Sequence, residues 1–134
     1  MAISNVDLIR DSLGLLGVLR ETQAPTAEQG KLGLRVLNEM MADWEADGID
    51  LSYVPTDSLA DDLSVDDGFI APIKYSLAHL LAPYYGIQTP AVVLQMAIGY
   101  YNRVVRGIVN DQLQPVTLTN LPLGSANWVS ADFE

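Results

Sequence analysis

The chain has 134 residues, 49% of them hydrophobic, with seven basic and seventeen acidic side chains and a net charge of −10. That is the length of one domain, with enough apolar residues for one core and too many for a disordered chain. The absence of cysteine excludes thiol chemistry, disulfides and cysteine metal sites, and the charge opposes ordinary phosphate-driven nucleic-acid binding.

No run approaches the roughly 20 apolar residues that a membrane helix needs. The first twenty residues lack a basic start and carry Asp7 and Asp11, which argues against a signal peptide. A reducing cytoplasm suits the cysteine-free composition.

Ser4 opens the first helix, with Asp7 at capping-box spacing. Val6, Ile9, Leu13 and Leu16 then share a face, and Gly17 is the stop. After Ala24-Pro25, Thr26 caps the second helix and Gln29 completes the box. Leu34, Leu37, Met41 and Trp44 form its stripe, Val36 and Met40 widen it, and Gly48 ends it.

Residues 49–68 connect to the third helix. Leu51, Tyr53 and Val54 alternate weakly, as a short strand would, and Pro55 confines such a strand to an edge. Asp57, Asp61, Asp62, Asp66 and Asp67 make the connector strongly acidic. A calcium loop fails on spacing. With Gly68 at the sixth position of an EF-hand, positions one, three and twelve fall on Leu63, Val65 and Lys74. A solvated acidic loop is the ordinary reading, and a lumen-facing acidic ring is the functional one.

The third helix is expected over residues 68–85, with Asp66 or Asp67 favouring its start and Pro72 tolerated in the first turn. Ile73, Leu77, Leu80, Leu81 and Tyr84 form its apolar face, and Pro83 should kink or end it. Thr89-Pro90 opens the fourth helix, whose stripe is Val93, Ala97, Tyr100, Val104 and Ile108. Val92, Met96, Tyr101 and Val105 broaden that surface. A helix so apolar is either central or covered by a neighbouring subunit. Tyr100, Tyr101, Val104 and Val105 are therefore the candidates for subunit packing.

Residues 114–134 carry Pro115, Pro122 and Gly124 and read as extended chain. They still hold Val116, Leu118, Leu121, Leu123, Trp128, Val129 and Phe133, more apolar residues than a solvated tail needs. These are the candidate docking residues, with Trp128 and Phe133 open equally to packing on their own subunit and to anchoring a partner. The fold class is thus all-α: a four-helix bundle-like body over residues 1–113, an acidic connector between its second and third helices, and an extended, non-helical tail over residues 114–134.

No set of residues announces catalysis. His79 is the lone histidine, with neither a nearby acid on its helix face nor a second ligand, and reads as a packed or interface residue. No serine sits in a nucleophile elbow, and no glycine pattern cradles phosphate. Gly30 and Gly33 fit close helix packing. The paired tyrosines Tyr84-Tyr85 and Tyr100-Tyr101 lack interleaved basic residues and read as packing rather than base-stacking platforms.

Three stretches, in order, carry a resemblance. The first is Asp7-Leu8-Ile9-Arg10-Asp11-Ser12-Leu13-Gly14-Leu15-Leu16-Gly17-Val18-Leu19, followed by Pro25-Thr26-Ala27-Glu28. The second is Leu37-Asn38-Glu39-Met40-Met41-Ala42-Asp43-Trp44 with Gly48. The third is Tyr75-Ser76-Leu77-Ala78 with Leu81-Ala82-Pro83-Tyr84-Tyr85-Gly86. Together they resemble the head-to-tail connector adaptor proteins of tailed bacteriophages, a family that includes the tail accessory factors of short-tailed phages.

That resemblance spans residues 7–108 and leaves the tail unmatched. It implies a homo-oligomeric ring, a dodecamer, under the portal protein at the virion neck, assembled in the host cytoplasm. Such a ring extends the DNA channel and receives the next tail component, a nozzle or tail-completion protein. DNA passes without specific binding, and no enzyme activity, cofactor or membrane is involved. The acid excess fits a channel wall that repels the duplex. The alternative reading is a small acidic helical module that binds or regulates another protein.

Overall fold

The computed structural model describes residues 3–20 and 22–113, and what they form is all-α. Four helices carry it: α1 (Asn5–Leu15), α2 (Ala27–Ala46), α3 (Ile70–Leu81) and α4 (Ala91–Leu113). Short 3-10 turns flank α3, at Asp67–Phe69 before it and Ala82–Tyr85 after it. The expected extended tail, with all its docking residues, lies outside the described residues.

Local chemistry sets most boundaries. Ser4 accepts a hydrogen bond from the Asp7 amide at 3.2 Å. Thr26 and Gln29 form a complete capping box, with the Gln29 amide donating to Thr26 Oγ1 and the Thr26 amide donating to Gln29 Oε1. Pro83 stops α3 where expected, because its ring cannot follow an α-helical carbonyl at His79, and the chain tightens into a 3-10 turn. Three glycines at positive φ, Gly17, Gly48 and Gly86, close helical segments in the same way. In each, the amide just past the glycine reaches back five residues: Val18 to Leu13, Ile49 to Trp44, Ile87 to Ala82. This reverse bond satisfies a carbonyl that the helix end would orphan, and it needs the left-handed residue that glycine supplies.

The hub is α3. It packs against α1, α2 and most extensively α4, and Ile73, Leu77, Ala78 and Leu81 are fully buried. Against it α1 sets Leu8, Ile9 and Leu13, and α2 sets Leu37, Met40 and Met41. The α1–α2 contact depends on glycine. A Cβ at Gly33 would stand 2.6 Å from Ile9 Cγ2, and one at Gly30 would stand 2.7 Å from Leu59 Cδ1. Neither position admits a side chain without displacing a packed neighbour.

Several expectations need correction. The possible strand at Leu51, Tyr53 and Val54 does not form; among the described residues there is only an isolated bridge between Ser4 and Asp62. The connector instead folds back over the start of α1. The Asn5 and Val6 amides donate to the Asp61 and Leu59 carbonyls, and the Leu63 amide donates to the Ile3 carbonyl at 2.7 Å. Leu80 and Tyr84, expected on the buried face of α3, are exposed, and Pro72, Ala78 and Ala82 are buried in that region. Leu8, Asn5 and Ser12 join the α1 core face, where Val6 is only partly buried. Ser12 is fully buried, and its hydroxyl is shared between the Leu8 carbonyl at 2.9 Å and the Lys74 carbonyl at 3.2 Å, tying α1 to α3.

Candidate functional site

Two surfaces stand out, at opposite ends of α3. The acidic connector feeds its start. All five aspartates, Asp57, Asp61, Asp62, Asp66 and Asp67, are exposed, and the backbone beneath them is pinned. Asn38 on α2 donates to the Thr56 carbonyl and accepts from the Tyr53 hydroxyl. Thr56 Oγ1 donates to Asp61 Oδ2 at 2.6 Å and accepts from the Ser58 amide. Ser64 Oγ accepts from the Val54 amide at 2.8 Å. The loop therefore holds its carboxylates in water on a fixed frame. No group of three His, Cys, Asp or Glu side chains among the described residues is placed to hold a metal ion. The pronounced pKa shift nearby falls on Tyr53, whose hydroxyl is pushed up to about 12 by burial.

The other surface surrounds the α3–α4 turn. Here Leu80 (41%), Tyr84 (53%), Val92 (70%), Met96 (37%) and Ile98 (53%) are exposed. Beside them runs a groove of about 340 Å³ where α2, α3 and α4 meet, lined by Met40, Trp44, Leu80, Leu94, Ile98 and Tyr101. Its polar contributors are Ser76 and His79, and no Asp, Glu, Lys or Arg lines it. His79 is exposed rather than packed, and its Nδ1 lies 2.8 Å from Thr89 Oγ1. That hydroxyl is thus engaged across the α3–α4 turn, and α4 begins at Ala91, with the Leu94 amide donating to the Pro90 carbonyl.

The four residues expected to pack subunits together all make contacts within their own chain. Val104 is buried in the chain's own core, so it is not a surface for a neighbour. Tyr101 meets Trp44 edge-on with ring centres 5.5 Å apart, and Val105 is partly buried against the core. Tyr100 packs on Tyr75 at 5.5 Å and carries the Arg103 guanidinium 5.0 Å above its ring. Arg103 also donates to the Gly68 carbonyl at 3.3 Å. These contacts hold α4 onto α2, α3 and the end of the connector. The free apolar area lies one to two turns earlier on α4. Its signal was in the sequence: Leu94, Ile98, Tyr101 and Val105 repeat at helical spacing, a second stripe beside the one through Val93 and Ala97.

Tyr85 closes the turn. Its hydroxyl is buried without a hydrogen-bond partner, and burial raises its pKa. Among the described residues no helix is long and apolar enough to cross a membrane. Compared with models of known protein families and with curated proteins, the sequence matches none.

Proposed function

We propose that the chain is a structural adaptor of a tailed-phage virion: copies form a ring beneath the portal, prolong the DNA channel and attach the next tail component. The observation that carries this reading is the polarity of the α3–α4 hairpin. An exposed acidic loop on a hydrogen-bonded frame, with Val54 as its exposed large apolar side chain, marks one end of α3, and a cluster of five uncovered apolar side chains marks the other, about 18 Å away along twelve helical residues. Apolar groups so placed gain by burial against another protein, at about 25 cal/mol per Å². Fixed carboxylates repel a duplex and give it nowhere to adhere. The three stretches that resemble the adaptor family also coincide with joints of this fold: the α1 core face and its Gly17 stop, the end of α2 at Trp44 and Gly48, and the Pro83–Gly86 stop after α3.

The test is assembly. The purified chain, mixed with portal particles and imaged by electron microscopy, is expected to add a ring of density under the portal. The variant V92D should fold with an unchanged melting temperature and fail to form that ring. Deleting residues 114–134 is expected to abolish portal attachment as well. A chain that stays monomeric by light scattering and never cosediments with portal particles overturns the adaptor reading and favours a regulatory binding module.

A further inference from the structure

The groove between α2, α3 and α4 differs from the other hollows on this surface. Four of those each carry charged side chains: Glu45 and Asp50 in one, Lys74 with Arg10 in the second, Arg103 and Arg106 in the third, Lys31 and Asp57 in the fourth. The groove has none. In a chain of net charge −10, two long stretches of sequence share that neutrality: residues 75–102, which build the α3 and α4 walls of the groove itself, and a second stretch beyond α4. Residues 114–131 contain no Asp, Glu, Lys or Arg, yet include Val116, Leu118, Leu121, Leu123, Trp128 and Val129.

Reach also fits. From Ile98 on the groove to Leu113 is fifteen residues of α4, about 22 Å. From Leu113 to Trp128 is another fifteen residues, which span up to about 50 Å when extended. The segment can double back along α4 with length to spare. A tether of this size gives an effective concentration on the order of 1 mM, so at micromolar protein the chain's own segment outcompetes that of another molecule.

We propose that in the free protein residues 114–131 lie in the groove of their own chain and cover Leu80, Leu94 and Ile98. Two uncharged surfaces meet there without desolvating a charge, a cost that the other four hollows would impose. The proposal is independent of the adaptor reading. In a ring it adds that the segment must leave the groove before it can serve a partner.

The absence of cysteine makes a clean test possible. A single reporter, I98C, is placed in the full-length chain, and its alkylation by a bulky maleimide is timed with no portal present. The same reporter is then placed in a chain also carrying L121S, L123S and W128S. Alkylation is expected to be about tenfold slower with the native segment, at any protein concentration from nanomolar to micromolar. L80C should show the same protection, and D50C, which lines a different hollow past the end of α2, should show none. Equal rates with native and polar segments overturn the proposal. Protection that disappears on dilution also overturns it, since the occupant then belongs to another copy.

Discussion

α1 and α4 answer the same problem differently. α1 has eleven residues and is enclosed by α2, α3 and the returning connector, so Leu8, Ile9 and Leu13 are fully buried. α4 has twenty-three residues and rests mainly on α3, with Trp44 of α2 reaching one turn; it buries Val93, Ala97 and Val104 and leaves Val92, Met96 and Ile98 in the open. The shorter helix is the better covered one. Length and apolar content do not decide burial; the number of elements stacked around a helix does.

The comparison can be broken by mutation. On the enclosed side, Leu77→Ala should cost about 2–5 kcal/mol, because a fully buried leucine leaves a cavity that its neighbours cannot fill. Val92→Ala, on the open side, should change stability by no more than about 0.5 kcal/mol in the monomer. Urea unfolding of both variants checks this, and similar midpoints for the two would collapse the distinction. Glycine gives a contrast of opposite signs. Gly33→Ala drives a methyl into Ile9 and should destabilise by about 1–3 kcal/mol. Gly99→Ala meets nothing within 4 Å on α4 and should stabilise by about 0.5–1 kcal/mol, since alanine loses less entropy in a helix. Thermal melts of the two variants should therefore move in opposite directions.

A third effect is alkaline. Tyr53 has its pKa raised to about 12 in the folded chain against 10.0 ordinarily. An unfolded tyrosine ionises first, so the stabilisation from the neutral, buried phenol is complete below pH 10 and is lost as pH rises toward 12. Tyr53→Phe should flatten this part of the stability profile between pH 10 and 12, measured by urea unfolding at each pH, while lowering stability near neutrality through the lost bond to Asn38.

What was legible in the sequence was local. Thr26 with Gln29, Gly48, and Pro83 each act on atoms within five residues, so spacing alone predicts their role. The buried stripe of α2 was equally readable from Leu34 to Trp44. What was not legible required knowing a partner far along the chain. Leu80 sits on the apolar arc of α3 and Tyr84 on the 3-10 turn after it, but the elements around them stop short of covering them. The alternation of Leu51, Tyr53 and Val54 does not become a strand, because Tyr53 is bonded to α2 through Asn38 and the backbone further along the connector turns toward α1. The burial of Ser12 followed from a carbonyl sixty-two residues away. For the acidic loop, the aspartates were found from the sequence, whereas the frame beneath them was not, because its anchors are Asn38 and the α1 backbone.

The stitching of the connector onto α1 has a chemical consequence. A helix start normally offers bare amide protons and a partial positive charge, a natural seat for phosphate. Here three of them are already spoken for: Asn5 and Val6 by connector carbonyls, Asp7 by the Ser4 hydroxyl. A polyanion drifting past this corner of the molecule finds the protons of Asn5, Val6 and Asp7 already taken.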